Sequence, residues 1–349
     1  MVSRSLLIWV LVVEGVLLGT AVLVLFIHAL CLWWYTRWSG TRLVRGRKAL
    51  IEMLAEGLLS PKELAWLSGL PFRLQIKLFA GLASSLSGGQ RIRLMELAQK
   101  IGSTARAEAR CQSRFWWRRL QGARVVTLLG GGERVVPPLF QDRHPLVRAQ
   151  AVEWAVDHPT PIVIELLLAL LNEPSGFGRF TVQDSLLRMG GVVAEPLACY
   201  LSTHYGKEAE AALEVALGLG EPKFLASALT LCRDETPRVR ALAATLLGAI
   251  GGRDAVRVLM DLLGDSVPEV RSASAGSLGR LGHWPAASRL ANLLRDQAWE
   301  VRREAALALL ALGAPGILLL HRFLSDRDPF AADMARHVLD IAQMSKVTM

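Results

Sequence analysis

The chain has 349 residues, 52% of them hydrophobic, with 40 Lys and Arg against 31 Asp and Glu and a net charge of +9. Its mean hydropathy of +0.33 is high for a soluble protein, and its four scattered cysteines exclude a disulfide-rich or C-x-x-C scaffold. The length allows one elongated array or two ordinary domains.

The first predicted element is a membrane-spanning helix. Almost every residue from Leu6 to Leu32 is apolar, and about 20 such residues are enough to cross a bilayer. The stretch is too long for the core of a cleaved signal peptide. An aromatic belt follows it, made of Trp33, Trp34, Tyr35 and Trp38. Residues 1–38 are therefore predicted to be an uncleaved N-terminal transmembrane anchor.

Basic residues after this span predict its orientation. Only Arg4 precedes the span, whereas the juxtamembrane basic residues that follow it are Arg37, Arg42, Arg45, Arg47 and Lys48. Because cytoplasmic flanks are enriched in Lys and Arg, we expect a single-pass protein of the cell (inner) membrane with its C-terminal domain in the cytoplasm.

Inside the span, Glu14 stands next to Gly15 and close to Gly19. A carboxyl group is costly in a bilayer and therefore marks functional positions, and a G-x-x-x-G pair lets two helices approach closely. These residues predict a helix–helix contact, either in a homo-oligomer or with another membrane protein. The alternative is a chance occurrence of the motif.

Residues 39–110 are predicted to form a basic juxtamembrane helical region with degenerate repeats. Residues 1–150 carry 21 Lys and Arg against 8 Asp and Glu, whereas residues 151–349 carry 19 against 23. This excess of positive charge suits an anionic lipid surface. A positive-inside bias combined with solvated helix faces explains it equally well.

A short segment from Arg114 to Arg119 mixes aromatic and basic residues. Within it, Trp117, Arg118 and Arg119 are a candidate contact for a protein partner or for lipid headgroups. The alternative is an ordinary amphipathic helix with its arginines in water.

A repeated motif occupies the C-terminal half of the chain. Residues 234–240, 265–271 and 296–302 share the pattern D-x-x-P/W-x-V-R at a spacing of 31, and each is followed by an Ala- and Leu-rich stretch. A fourth copy lies at residues 142–148. The last copy, at residues 326–329, lacks the Val-Arg pair, as expected of an end cap.

Each repeat unit predicts a helix–turn–helix. In the unit that ends at Gly282, Pro268 suits the first turn of the second helix. Gly282 then provides the left-handed residue that ends this helix.

The pattern resembles the HEAT repeat, in the short form of about 30 residues found in bacterial HEAT-like and phycobilisome-lyase-like proteins. The resemblance implies an all-α fold, a right-handed α-solenoid of HEAT-like helical pairs. We expect the solenoid to span residues 111–343 and a tail to occupy residues 344–349.

In HEAT proteins the repeated aspartate and arginine side chains pair along the stack, so the resemblance also implies a structural ladder. Its expected members are Asp142, Arg148, Arg179, Asp234, Arg240, Asp265, Arg271, Asp296 and Arg302. A row of anion-binding arginines is the alternative interpretation.

Small residues are frequent on the second helices of the regular repeats. The positions expected to face away from the core are Ala241, Ala244, Ser272, Ala275, Gly276 and Gly279. Ala244 and Ala275 are therefore predicted to lie in a groove that accepts a partner. The alternative is that small residues let adjacent helices pack closely.

The sequence contains no recognisable catalytic motif: no Walker A loop, no G-x-S-x-G, no H-E-x-x-H and no metal-spaced Cys/His cluster. It also lacks the His-Glu dipeptide with which the HEAT-like deoxyhypusine hydroxylase binds iron. We therefore expect no enzymatic activity, no cofactor and no metal site.

These patterns favour a membrane-tethered scaffold or adaptor that binds another protein at the cytoplasmic face of the membrane. One alternative is a HEAT-like lyase or chaperone for a chromophore or partner protein. A nucleic-acid-binding HEAT-like protein is a weaker alternative, because tethering makes DNA an awkward partner, and no nucleic acid is expected.

Overall fold

The computed structural model describes residues 4–56, 60–83, 85–172 and 176–347, and within these ranges every regular element is helical. Two compact units, Met1–Val135 and Val136–Met349, make up the chain. The predicted regions, with a boundary at residue 110, stay a prediction. Residue 110 itself lies inside a helix of the first unit, as described below.

The described residues of unit 1 form six helices: α1 (Arg4–Glu56), α2 (Pro61–Ser68), α3 (Phe72–Ala83), α4 (Gly89–Lys100), α5 (Ser103–Cys111) and α6 (Trp116–Leu129). The contact between α5 and α6 is close. A Cβ on Gly122 of α6 would lie 2.7 Å from the backbone nitrogen of Cys111 in α5. Only a glycine permits this approach, so residues 103–129 belong to one unit.

Helix α1 combines an apolar stretch with a second part that belongs to the core of unit 1. Its residues from Val13 to Arg37 are exposed, whereas Leu50, Met53 and Leu54 are buried. The helix is long and apolar enough to cross a membrane, with a hydropathy of 2.5 in its most apolar window. It continues without interruption past the predicted anchor boundary at residue 38.

In the described part of unit 2, thirteen α-helices form two layers. The second helices of the repeats form one layer: α7 (Pro145–Ala155), α9 (Gly176–Met189), α11 (Lys207–Leu219), α13 (Pro237–Ile250), α15 (Pro268–Arg280), α17 (Trp299–Ala311) and α19 (Pro329–Val347). The first helices form the other: α8 (Pro161–Leu170), α10 (Ala194–Thr203), α12 (Leu225–Leu231), α14 (Arg253–Leu262), α16 (Ala287–Asn292) and α18 (Ala314–Phe323).

Consecutive second helices pack against each other along the whole unit, which makes it an α-solenoid. Its core is continuous, because each repeat contributes leucines that are fully buried, such as Leu247, Leu278 and Leu309. Helix α19 runs through most of the predicted tail at residues 344–349, although residues 348–349 lie outside the described ranges.

Proline and glycine punctuate the repeats as the sequence predicts. Pro237 and Pro268 each occupy the first turn of a second helix, where the missing N–H costs no hydrogen bond. Gly282 follows α15 with a φ of +61°, a conformation that side chains with a Cβ rarely adopt. The predicted role of Gly282 as a helix terminator is therefore confirmed.

Candidate interaction surface

Two arginines of the repeated motif connect neighbouring repeats through two-pronged ion pairs. The Nε and Nη2 atoms of Arg240 donate to the Asp265 carboxylate at 2.9 and 3.0 Å. Arg271 donates in the same way to Asp296 at 2.8 and 2.7 Å. Each arginine therefore reaches the aspartate of the next repeat, 25 residues later, and the planar guanidinium matches the carboxylate.

The third nitrogen of each guanidinium holds the turn of its own repeat. Nη1 of Arg240 donates to the backbone carbonyl of Asp234 at 2.8 Å, and Nη1 of Arg271 donates to that of Asp265 at 2.8 Å. One side chain thus satisfies a turn carbonyl and a carboxylate in the adjacent repeat. This arrangement gives the ladder a fixed direction along the chain.

The aspartates also cap their own turns. Oδ1 of Asp265 accepts a hydrogen bond from the backbone N–H of Val267 at 2.8 Å, and Oδ1 of Asp296 accepts one from Ala298 at 2.9 Å. Burial alone would raise the pKa of Asp265, but the Arg240 hydrogen bond, the Val267 amide and the arginine charges outweigh it. The pKa of Asp265 is therefore lowered, and that of Asp296 is lowered for the same reasons.

These lowered pKa values predict that unit 2 loses stability in acid. A carboxyl group whose pKa is lower in the folded chain stabilises it fully above the unfolded-state pKa of about 4. That contribution disappears as the pH falls through the lower folded-state pKa. We expect the stability difference between the wild type and Asp265→Asn to be constant from pH 7 to 5 and to shrink below pH 4. Chemical unfolding of the full chain in detergent, followed by circular dichroism, measures it; a difference that stays constant down to pH 3 contradicts the prediction.

Three further predicted ladder residues bond to backbone groups of turns. Asp142 caps its turn through the His144 N–H at 2.9 Å, and Arg148 donates to the Asp142 carbonyl at 2.9 Å. Oδ2 of Asp234 accepts from the Gly206 N–H at 2.9 Å. Arg179 is exposed on α9, and no ion pair among the described residues involves it.

The predicted position of Ala244 and Ala275 is wrong, since both side chains are fully buried. They lie on the faces by which second helices pack on their neighbours. A Cβ on Gly279 of α15 would lie 2.7 Å from Cα of Ala308 in α17. The small residues thus allow adjacent helices to pack closely, which was the alternative interpretation, and these two alanines cannot contact a partner.

Charged residues occupy the exposed face of the second helices instead. Arg238 on α13 forms an ion pair of 2.8 Å with Glu269 on α15. It also lies 3.7 Å from both Glu210 and Glu214 on α11. The Arg238 side chain therefore spans three consecutive second helices, and this face presents a continuous charged surface.

The aromatic and basic segment of unit 1 begins α6 and is largely exposed. The rings of Phe115 and Trp117 stack with centroids 4.6 Å apart, and the guanidinium of Arg118 lies 5.4 Å from the Phe115 ring. Burial and the charges of Arg118 and Arg73 lower the pKa of nearby Arg110. This crowding of cations next to exposed rings suits an anionic ligand.

Arg119 belongs to this segment but has a structural role that the sequence analysis missed. Its Nη1 donates to the carbonyls of Ser113 and Arg114, both at 3.0 Å. These acceptors lie six and five residues before the arginine, the same separations as in the Arg240 and Arg271 turns. An arginine 29 residues before Arg148 was the signal that could have revealed this turn.

The juxtamembrane basic residues lie on the part of α1 next to its apolar stretch. Arg37 and Arg42 lie over the rings of Trp33 and Trp38 at 5.7 and 3.9 Å. Arg45 lies 4.6 Å from the ring of Trp66 in α2. The other two, Arg47 and Lys48, are exposed. Aromatic rings paired with cations are typical of a membrane–water interface.

Glu14, Gly15 and Gly19 are exposed on the apolar part of α1. A Cβ on either glycine would meet nothing within 4 Å. Both glycines thus offer a flat helix surface, which is what a close helix–helix contact needs.

Within the described ranges, no group of three or more His, Cys, Asp or Glu is placed to hold a metal ion. Two open grooves are lined by charged side chains. One, of about 470 Å³, is lined by residues that include Tyr205, Arg233 and Arg257. A second, of about 420 Å³, is lined by residues that include Glu96, Glu108 and Glu133.

Comparison with known proteins identifies the repeats. The family of HEAT repeats matches residues 201–278, 223–311 and 258–340 in three overlapping segments. No curated protein matches the chain. These segments contain all three regular copies of the motif, in agreement with the resemblance seen in the sequence.

Solved structures show the same architecture at low sequence identity. The chain is similar to Kap121p bound to Nup53p, with 15% identity and a TM-score of 0.55, over 86% of this chain and 39% of that one. It is similar to Kap121p bound to the SUMO protease Ulp1p, with 16% identity and a TM-score of 0.51, over 79% and 36%. Thus it spans about two fifths of the karyopherin's length. CpcE and CpcF of phycocyanin lyase from Nostoc match with 18% identity and a TM-score of 0.32, over 68% and 93%. These likenesses concern the fold alone.

Proposed function

Because the C-terminal part of this chain is built of HEAT repeats, we propose that it is a scaffold or adaptor that binds another protein. The observation that carries this proposal is the exposed charged face of the second helices, exemplified by Arg238 and its three glutamate neighbours. Stacked repeats present long surfaces of this kind, whose specificity resides in the variable outward side chains. The fold by itself does not specify the partner.

We further propose that α1 tethers this scaffold to the membrane with units 1 and 2 in the cytoplasm. The apolar stretch, the aromatic belt and the basic residues after it support this topology. A reporter fused after the last residue tests it. Alkaline phosphatase fused there is expected to be inactive, and a fluorescent protein fused there is expected to fluoresce. An active phosphatase would contradict the cytoplasmic assignment.

The glycines of α1 lead to a prediction about association within the membrane. Replacing both Gly15 and Gly19 by Leu is expected to reduce crosslinking between α1 and its helix partner by at least about fivefold, since bulky side chains prevent close approach. The protein is expected to stay in the membrane fraction. Replacing Ala21 and Leu25 by Phe provides a control elsewhere on the helix. If crosslinking of the glycine variant equals that of the wild type, the motif has no role in association.

Partner binding is tested by crosslinking and affinity capture from native membranes with α1 intact. Two half-buried residues on the exposed face of the second helices, Thr245 and Ser272, are replaced by Arg to obstruct it. The same change at Thr230 and Ser288, which are exposed on first helices, is the matched control. We expect recovery of the partner to fall at least about tenfold for the first pair only, because bulk and charge prevent close packing across an interface.

A third variant separates the two candidate surfaces of the chain. Trp117 and Arg118 are replaced by Ala, and Arg119 is kept because it holds a turn. If only this variant loses the partner, the working surface is the aromatic and basic segment, which we propose as a second contact site for protein or anionic lipid. If the purified chain instead modifies a small molecule or attaches a chromophore, the lyase or chaperone interpretation replaces the scaffold.

A further inference from the structure

Arg302 is the last arginine of the ladder, and its Nε is buried without a hydrogen-bond partner. Its Nη1 donates to the carbonyls of Asp296 and Gln297 at 2.8 and 3.1 Å. Arg271 and Arg240 are anchored in the same way, and both use their remaining nitrogens to bind a carboxylate. Arg302 therefore has the orientation of a carboxylate-binding arginine but, among the described residues, no carboxylate pairs with it.

The expected carboxylate is engaged elsewhere. Asp326 occupies the position in the last repeat that Asp296 occupies in the one before, but Arg295 binds it, with its Nε 3.1 Å from Oδ1. The spacing from Asp296 to Asp326 is 30 residues rather than 31, and Arg327 stands at the regular position. At this end of unit 2, an ion pair between Arg295 and Asp326 therefore stands in place of a ladder pair between Arg302 and an aspartate.

One exposed aromatic ring lies over Arg302, and a second exposed aromatic residue lies one turn away on the same helix. The guanidinium of Arg302 lies 5.2 Å from the ring of Phe330, whose side chain is 65% exposed. Trp299, one turn before Arg302 on α17, is 52% exposed. The exposed Phe330 ring would lose little packing on turning aside to admit a ligand. Clusters of aromatic residues and arginine are also typical of the residues that dominate binding energy in protein interfaces.

We propose that Arg302, next to the exposed ring of Phe330, binds an aspartate or glutamate side chain of the protein partner. This carboxylate takes the place that Asp296 occupies against Arg271, and it supplies the acceptor that the buried Nε lacks. A carboxylate fits this role because its two oxygens match two parallel N–H groups of a guanidinium whose orientation is already fixed by the turn. The inference rests on the proposed function, since it assigns one contact of the partner that unit 2 binds.

The experiment measures the arginine Nε–H signals by nuclear magnetic resonance in the full chain in detergent micelles. The probe is N-acetyl-aspartate methylamide, a capped aspartate, and N-acetyl-asparagine methylamide at matched ionic strength is the control. We expect a saturable shift of the Arg302 signal with the aspartate probe at an affinity on the order of 10 mM. The signal is assigned by its absence in Arg302→Lys. We expect no shift with the asparagine probe.

Two results would overturn the proposal. One is an Arg302 signal that does not respond to the aspartate probe, or responds equally to the asparagine probe. The other concerns two variants. If Asp326→Asn shifts the Arg302 signal as much as Asp296→Asn shifts the Arg271 signal, the Asp326 carboxylate already binds the Arg302 guanidinium in solution.

Capture experiments separate this inference from the proposed function. If a partner is recovered from membranes and Arg302→Gln reduces its affinity at least fivefold while Arg289→Gln leaves it unchanged, both stand. If Arg302→Gln binds the partner as the wild type does, the scaffold function stands and the Arg302 site is wrong. If the probe binds but no partner is recovered, the proposed function fails, and with it the assignment of the Arg302 carboxylate to a protein partner.

Discussion

Arg271→Ala is expected to destabilise unit 2 by about 2–4 kcal/mol, somewhat below the range for fully buried pairs. The substitution removes the two-pronged bond to Asp296 and the bond to the Asp265 carbonyl. The side chains of Arg271 and Asp296 are only 15% and 8% exposed, so water can replace the lost guanidinium only in part. Both the Asp296 carboxylate and the turn carbonyl are then left without their donor.

Thermal unfolding of the full chain in detergent, followed by circular dichroism, measures this effect. A loss of this size corresponds to a fall of the midpoint by about 4–16 °C for a unit of roughly 200 residues. Arg303→Ala is the control, because Arg303 lies on α17, a second helix like the α15 that carries Arg271, with its side chain 48% exposed and paired with Glu304. An exposed pair contributes about 0–1 kcal/mol. Equal midpoints for Arg271→Ala and the wild type would mean that the ladder does not stabilise the repeats.

A double-mutant cycle assigns the loss to the pair itself. Asp296→Asn keeps the size of the side chain and can still accept the Ala298 N–H, but it removes the charge. If Arg271 acts mainly through Asp296, combining the two substitutions costs less than the sum of the single losses. Strict additivity would instead attribute the effect to the turn carbonyl.

Gly279→Ala is expected to have the second largest effect, a destabilisation of about 1–3 kcal/mol through overpacking. The added Cβ would lie 2.7 Å from Cα and 2.8 Å from Cβ of Ala308. Because one of these atoms belongs to the backbone of α17, no side-chain rotation can relieve the contact, and the two helices must separate. The readout is the same thermal unfolding experiment.

Gly276→Ala on the same helix is the control. Its Cβ would lie 3.1 Å from Oε2 of Glu304, the end of a flexible side chain that can move away. Alanine favours a helix over glycine by about 1 kcal/mol, so this variant is expected to be as stable as the wild type or slightly more stable. If Gly276→Ala is the more damaging of the two, the spacing of α15 and α17 does not depend on Gly279.

The sequence predicted the repeat architecture well because its signals are local. Pro268 and Gly282 mark the start and end of a helix through backbone chemistry that needs no knowledge of neighbours. The 31-residue spacing then predicts that the helical pairs stack. The family match and the α-solenoid neighbours agree with this inference.

The sequence analysis was wrong at positions whose burial depends on which other helix packs against them. A second helix in a solenoid is buried against its own partner helix and against the second helices of adjacent repeats. Ala244 and Ala275 lie on those interfaces, and a small side chain is compatible with either an open groove or a close contact. The sequence also could not show which carboxylate Arg271 binds, because Asp265 and Asp296 are equally regular in the motif.

The uninterrupted course of α1 has a mechanical consequence. Helices bend sharply mostly at proline or at Gly/Ser pairs. Helix α1 contains no proline between Arg4 and Glu56, and it continues as one helix through its Ser39–Gly40 pair. About 24 Å of helix joins Trp38 to Leu54, at 1.5 Å per residue, and Leu54 is fixed in the core of unit 1. If α1 crosses the membrane as proposed, it acts as a rigid rod, and a partner that rotates the span within the bilayer turns unit 1 by the same angle. One residue inserted after Gly40 would rotate unit 1 relative to the span by about 100°. The insertion would change the direction in which unit 1 faces along the membrane without altering the residues at either end of the helix.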